Sequence, residues 1–453
     1  MLWNLGIYKV FGATAAVFHV ANLLLYGLIV VLVWLLVRRV AGTPQAWIAT
    51  ALFAVYPRHG ESVAWISGST DLTAVALALG ALFCAIADWR VWRRAVATAA
   101  LTAAATLAKE VAFVLPALAV LLLLRRSEGG QRRWAIPAAM ALAEVGTFAA
   151  RYAVIGGFGG YSGYPWTPFR AVRVAASYAV ASLTPPGVEA FHHKVVLVLP
   201  VVLVLLGVWR AWILWRRDDR DWVYLALLGV AWFLLSLVPF LNLAVDLNNA
   251  NGERLMFLGT VGLALLVAGL VGPQPARVGF AAAGVATAAM LVLSVYDATD
   301  WIHATRLSDR LIRTAPALAA GRGELVLLDA PENYRTAHVF TGGNMDPALR
   351  YRGIRGLRTV ICTQVTVRKE RPGVVWFRPV GTAYEGTTTW AAPFDFPAFR
   401  SAIALTGECS YSRAPGSSGP IGLGLAALAV PKPVMKPFAL AVFDGRDLRP
   451  MPH

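Results

Sequence analysis

Three short stretches place ionisable side chains in an otherwise apolar chain. YPRHGESVAWISGSTD (56–71) supplies Arg58, His59, Glu61 and Asp71, and LAKEVAFVLP (107–116) supplies Lys109 and Glu110. The third, ahead of LMFLG, supplies Glu253 and Arg254 after Asp246, Asn248, Asn249 and Asn251. Arg58, Lys109 and Arg254 suit a phosphate, whose oxygens accept charge-assisted hydrogen bonds. The carboxylates suit the hydroxyls of a ligand, or the cations themselves. Read alone, 57–70 also fits a solvated loop: Pro57 stops the incoming helix, and Ser67, Ser69 or Thr70 caps the outgoing one. The company of the other two stretches favours a polar cavity for a ligand with a lipid tail and a charged head.

The elements that must position these residues are membrane helices. Of 453 residues, 58% are hydrophobic and only 15% charged, and the mean hydropathy is +0.60. Soluble domains sit nearer half apolar and a quarter charged. Runs such as Ala13–Val37, Val195–Trp215 and Trp222–Leu241 are long enough to cross a ~30 Å hydrocarbon core. The sequence reads as an all-α polytopic membrane protein of about ten spans: 13–37, 45–57, 71–88, 95–108, 111–124, 134–155, 195–215, 222–241, 255–272 and 277–297. Helices 45–57, 95–108 and 111–124 are short for a full span, so they tilt or stop at a cavity.

The basic residues orient this bundle. Arg38-Arg39, Arg90 with Arg93 and Arg94, Arg125-Arg126 with Arg132-Arg133, Arg216-Arg217 with Arg220, and Arg277 fall at alternate helix ends. Lys and Arg favour cytoplasmic loops, which puts 57–70, 108–111, 156–194, 242–254 and everything after about 298 outside. The net charge of +16 is thus largely topology and implies membrane lipids as partners, with no nucleic acid. A helix 13–37 ending inside leaves Met1 outside without a signal peptide. Either the first helix inserts in the less common sense or, as is expected here, a further helix lies upstream, with Met1–Gly12 the amphipathic tail of an outer loop.

Residues 298–453 read as a small extracytoplasmic α+β or β-rich domain, against 1–297 for the membrane domain. β-type runs occur at 324–329, 359–367, 374–378 and 438–444, and Ile421–Val430 fits a core strand or an interfacial segment. Cys362 and Cys409 lie here and either pair or stay as thiols, while Cys84 packs in a helix. Glu144 sits in mid-span, a functional candidate by depth or a residue holding two helices together, with Arg151 as a possible partner. In 156–193, AVRVAASYAVASL fits an amphipathic helix on the membrane. His192-His193 lacks further spaced ligands, so no metal or other cofactor is expected.

These residues carry a resemblance. YPRHGESVAWISGSTDL resembles the HPxHxEAVAWISxRxDLL segment of GT-C membrane glycosyltransferases of the protein O-mannosyltransferase and TPR-bearing O-mannosyltransferase type, matching at Pro57, His59, Glu61, Val63, Trp65, Ile66, Ser67, Asp71 and Leu72. LAKEVAFVLP resembles their LxKExxxxLP. WFLLSLVPFLNL with ERLMFL resembles their W-x-x-x-x-L-x-P-x-x-N block and ERYLYLP. Residues 3–28 are similar to a further family region, with His19 and Asn22 at its HxxN. The agreement covers roughly 1–300 in order and spacing. Tyr56 stands where the family has His, and Ser69 where it has a basic residue.

The resemblance implies a GT-C-like bundle in a bacterial inner membrane. Such enzymes transfer a sugar from a polyprenyl-phosphate donor, with inversion, to an acceptor protein, lipid or glycan at the outer face. It implies phosphate binding by Lys109, Arg254 and Arg58, and a cavity lined by His59, Glu61, Asp71, Glu110 and Glu253. The family's catalytic Asp pair belongs to a loop upstream of the matched residues, so the base is expected before Met1. The alternative is a non-catalytic polyprenyl-phosphate-binding relative acting as a scaffold. A transporter is disfavoured because no inverted repeat stands out.

Overall fold

The computed structural model describes residues 2–12, 14–124, 133–156, 167–186, 195–243, 252–272, 276–340, 345–367, 376–380, 383–387, 403–405, 410–413, 425–429, 438–443 and 446–450. Two compact units divide the chain: Met1–Pro185 with Lys194–Val245 and Asn251–Val295, and Tyr296–His453 with Pro186–His193 and Asp246–Ala250.

The first unit is a helical membrane bundle. Its helices are α1 (Leu2–Phe11), α2 (Ala15–Ala41), α3 (Thr43–Ala54), the single turn α4 (Gly60–Val63), α5 (Ser69–Ala85), α6 (Val91–Ala108), α7 (Leu115–Leu124), α8 (Ala135–Ile155), α9 (Pro168–Leu183), α10 (Val195–Arg216), α11 (Arg220–Leu237) and α12 (Gly259–Val271), with the start of α13 (Ala276–Ala319). Among the described residues, five helical stretches are long and apolar enough to cross a membrane: Ala15–Ala41, Ile66–Ala85, Val198–Arg216, Arg220–Phe240 and Arg277–Ala319. Of the three helices expected to be short, those at 45–57 and 111–124 are so, α3 having 12 residues and α7 having 10, whereas 95–108 belongs to α6, which runs for 18.

Apolar side chains alone give helices in lipid little reason to associate, so close packing between small residues matters. Here α11 and α12 meet at Gly229, Gly262 and Gly269. A Cβ on Gly229 would lie 2.4 Å from the Leu266 nitrogen, and one on Gly262 2.5 Å from the Gly229 carbonyl oxygen. Neither neighbour is a side chain that can rotate away.

Several of the clustered arginines have partners within the bundle. Arg94 caps the end of α5 through the Ala85 carbonyl, and Arg210 caps α12 through Leu270 (2.9 Å) and Val271 (3.1 Å). Arg133 reaches Leu123 near the end of α7 at 3.4 Å. Each meets carbonyls that the helix cannot satisfy itself, at the negative end of its dipole. Others lie over indoles: Arg38 on Trp34 (5.0 Å), Arg93 on Trp92 (5.3 Å), Arg216 on Trp212 (5.0 Å) and Arg220 on Trp215 (5.4 Å). Trp and Arg together suit the headgroup layer of a membrane.

The second unit is a sheet covered by helix. β1 (Glu324–Tyr334) pairs in parallel with β3 (Arg358–Val367) and β9 (Phe438–Phe443), and α14 (Asp346–Tyr351) lies in the crossover from β1 to β3. β2 (Ala337–His338) folds back on β1, β10 (Leu448–Pro450) pairs with β9, and β6 (Ile403–Leu405) pairs with β3. A separate antiparallel sheet has the order β4 (Trp376–Val380), β5 (Ala383–Thr387), β8 (Leu425–Ala429), β7 (Ser410–Arg413).

The last span was expected to end at 297, but α13 continues to Ala319. Leu307, Leu311, Ile312, Ala315 and Ala319 recur at helical spacing and bury against Leu325, Leu327, Ile361, Ala441 and Phe443 of the sheet. The expected domain boundary therefore falls inside a helix. Cys362 is disulfide-bonded and Cys84 is free, while Cys409 lies outside the described residues.

Gly262→Ala is expected to push α11 from α12 and destabilise the protein by about 1–3 kcal/mol, the cost of overpacking a close contact. A thermal unfolding scan in detergent checks this. An unchanged midpoint would contradict the contact.

Candidate functional site

The chain from Val55 to Gly68 is a series of tight turns. Residues Pro57–His59 and Ile66–Gly68 each form a 3-10 turn, on either side of α4. Gly68 is needed for this fold-back, since a Cβ there would lie 2.3 Å from the Ser62 carbonyl oxygen. Asn22 of α2 fixes the loop by donating to the carbonyls of Val63 (3.3 Å) and Trp65 (3.2 Å). At the start of α5, the Ser69 hydroxyl accepts from Asn4 of α1 at 2.8 Å.

His59 lies buried in an aromatic cage, with the rings of Phe53 and Phe257 at 4.8 and 4.5 Å. Its Nε2 hydrogen-bonds with the Thr260 hydroxyl (2.9 Å), which also reaches the Phe257 carbonyl (2.7 Å). Its Nδ1 hydrogen-bonds with the Tyr26 hydroxyl (2.8 Å), which also reaches the Ala54 carbonyl (3.0 Å). Burial pushes the imidazole down from 6.5 to about 3, so it stays neutral. The hydroxyl of its neighbour Tyr56 donates to the Ser182 carbonyl (2.9 Å).

The turn Glu253–Met256 faces this loop and is anchored by Trp232, whose indole donates to the Leu258 carbonyl at 3.0 Å. Two crossed ion pairs join the segments. Arg58 donates through Nη1 to Glu253, and Arg254 holds Glu61 through its backbone nitrogen (2.7 Å) and Nη1 (2.8 Å). Arg58 is only 2% exposed. Its Nε and Nη2 donate to the carbonyls of Thr184 and Pro185 and to the Thr184 hydroxyl, each at 3.2 Å, closing the end of α9. Assigned to phosphate from the sequence, Arg58 is instead a buried brace with all three nitrogens engaged.

Between α6 and α7 the backbone extends at Lys109 (φ −161°) before the 3-10 turn Glu110–Val114. Lys109 reaches Asp71 at 3.4 Å, and Asp71 also feels the charges of Arg254 and Glu61. Glu110 is held by Arg151 of α8 at 2.5 Å. From the sequence, Arg151 is one candidate partner for Glu144. Among the described residues Glu144 Oε1 is buried with no hydrogen-bond partner.

The result is one network assembled from residues 58–61, 71, 109–110, 151 and 253–254. Every site residue named from the sequence lies in its ion pairs except His59, which packs beside them. The network's polarity is directional. Lys109 (15% exposed), Arg254 (22%) and Arg151 (25%) reach solvent, whereas Asp71 and Glu61 lie at 4% and 0%. The accessible edge of the first two pairs is cationic, with the carboxylates behind. The Arg254 guanidinium also lies over the Trp65 ring at 4.8 Å.

The positioning roles of Tyr26, Thr184 and Thr260 had no sequence signal, since an isolated hydroxyl in an apolar helix reads as packing. Asp246, Asn248, Asn249, Asn251, His192 and His193 lie outside the described residues. No group of three or more His, Cys, Asp or Glu among the described residues is arranged to hold a metal. No protein-family model, curated protein or solved structure matches the chain.

Arg58→Met is expected to destabilise the protein by about 3–5 kcal/mol, because it strands buried Glu253 without its cation. Adding Glu253→Leu should recover much of that loss, and denaturant unfolding of Arg58→Met, Glu253→Leu and the double variant measures the coupling. His59 gives a pH dependence. Its folded value lies below the unfolded one, so its contribution is intact above about 6.5 and is lost as pH falls toward about 3. The acid slope of stability in that window should flatten in His59→Asn relative to wild type.

Proposed function

We propose that this chain is a membrane glycosyltransferase of the GT-C type, taking a sugar from a polyprenyl-phosphate donor at the outer face of a bacterial inner membrane. The observation that supports it most is the cationic edge formed by Lys109 and Arg254 over the buried carboxylates of Asp71 and Glu61. A phosphodiester approaching from that side meets guanidinium and ammonium donors already aimed by their partners. The bundle then has about ten spans, with the short helices stopping at a cavity, and the second unit lies outside the cytoplasm. A disulfide at Cys362 fits that compartment.

In the reaction, an acceptor hydroxyl on protein, lipid or glycan attacks the anomeric carbon as the bond to the phosphate oxygen breaks, its proton passing to a carboxylate base supplied outside the paired residues of the network. The configuration inverts, and the departing polyprenyl phosphate gains charge that Lys109 and Arg254 stabilise. Glu61 is a poor general base here, since both of its oxygens accept from Arg254. Asp71 aims Lys109.

A second reading has one observation in its favour. Each cation of the network already holds a carboxylate, as a scaffold that binds polyprenyl phosphate without turnover would require. The test is transfer from a radiolabelled polyprenyl-phospho-hexose by the purified full-length protein, any residues encoded upstream of Met1 included, in lipid nanodiscs. Lys109→Ala and Arg254→Ala are each expected to lower kcat on the order of a hundredfold, the scale of losing one charge-stabilising donor. Unfolding temperatures run alongside, because Arg254→Ala also strands Glu61. Wild-type rates in both variants would overturn the phosphate assignment, and saturable donor binding with no transfer would favour the scaffold.

A further inference from the structure

The second unit contains a polar cluster that the glycosyltransfer reading does not use. Asp297, Asp300 and Trp301 share one face of α13 at i, i+3 and i+4. Opposite them is the β1–β2 hairpin, in which Asn333 and His338 are cross-strand partners and Arg335-Thr336 forms a two-residue turn. Arg335 has φ +51°, a left-handed backbone that a non-glycine residue adopts only when its surroundings enforce it. That turn directs Thr336 to both carboxylates, its hydroxyl lying 2.7 Å from Asp297 and 3.1 Å from Asp300. Arg335 lies 3.6 Å from Asp300.

These contacts alone make a latch between hairpin and helix. Two donors go beyond a latch. Asn333 is fully buried, and its Oδ1 accepts from His338 Nδ1 at 2.6 Å, which fixes the amide and turns Nδ2 elsewhere. Among the described residues, Asn333 Nδ2 has no hydrogen-bond partner. The same holds for the buried indole nitrogen of Trp301, whose ring stands edge-on to His338 at 5.7 Å. Asn333 and Trp301, which both neighbour His338, thus each carry a buried N–H without an acceptor among the described residues. An unanswered buried donor costs about 1–3 kcal/mol, so each calls for an acceptor.

The chemistry narrows that acceptor. The two buried carboxylates of Asp297 and Asp300 would repel a phosphate or carboxylate placed against them. N–H groups do not ligate metal ions, which disfavours a cation. A sugar hydroxyl suits both halves, since it accepts from an N–H and donates to a carboxylate. The indole supplies an apolar face for sugar C–H groups.

We infer that Asp297, Asp300, Trp301, Asn333, Thr336 and His338 form a binding site for a neutral saccharide. This site is independent of the glycosyltransfer reading, because it lies in the second unit and requires neither donor lipid nor turnover.

The test uses the full chain in nanodiscs with 15N-labelled tryptophan and no polyprenyl lipid. The Trp301 indole resonance is identified by its loss in Trp301→Phe, which keeps the ring packing and removes the N–H. Methyl glycosides of mannose, glucose, galactose and N-acetylglucosamine are titrated in, with inorganic phosphate as a comparison. A saturable shift of that resonance with at least one glycoside is expected. Its affinity, read by saturation transfer, should fall about tenfold in Trp301→Phe, the scale of one hydrogen bond. A resonance unmoved by every glycoside would overturn the site, leaving the donors to structural water. A shift with phosphate alone would overturn the ligand class. Either outcome is separable from failure of the transferase reading, which is scored by transfer from a lipid donor.

Discussion

The structure of the candidate site depends on two crossed ion pairs buried in the bundle, Arg58 with Glu253 and Glu61 with Arg254. Taking such charges from water costs several kcal/mol per ion, which attraction repays only when geometry is good and the remaining donors are answered. Both conditions hold for Arg58, whose three nitrogens all find acceptors. Because the partners alternate along the chain, neither loop can slide against the other without breaking both pairs. Asn22, Trp232 and the Tyr26–His59–Thr260 chain then fix each loop to a helix behind it. Apolar residues of the same volume could fill this space, but they would not aim a guanidinium outward.

Cations in this chain therefore serve three physical ends. At one set of helix ends, Arg94 and Arg210 answer carbonyls left over by the helix geometry. Arg38, Arg93, Arg216 and Arg220 lie on indoles suited to the headgroup layer. Lys109, Arg254 and Arg151 combine a carboxylate partner with access to solvent inside the network. Net charge alone conceals this division, since a charge of +16 counts all three kinds alike.

What was legible in the sequence follows the same division. Helix positions were clear because an unbroken apolar run of membrane-spanning length is hard to accommodate anywhere but in lipid. The site segments were clear because charge between such runs is costly and so conspicuous. The roles within the site were not, for pairing is set by tertiary geometry. Nothing in the sequence says that Arg151 serves Glu110 rather than Glu144 on its own helix, or that Arg58 turns inward while Arg254 turns out. The end of α13 was missed for another reason. Arginines and aspartates after Tyr296 lower the hydropathy, although the stripe Leu307, Leu311, Ala315, Ala319 keeps helical spacing for a sheet to cover.

The two polar clusters differ in one respect that bears on function. In the bundle, Arg58 is saturated by protein acceptors, and such a network stiffens the loops that carry it. In the second unit, the latch through Thr336 is likewise answered, yet Asn333 and Trp301 each retain a buried donor with no acceptor among the described residues. A hairpin held only for stability would have no use for a fixed, unmade hydrogen bond, since an apolar residue of the same shape would cost less. A strained Arg335 in the turn adds to that cost. Saturated charge holds a surface in place, and unsatisfied donors mark where something else must complete it.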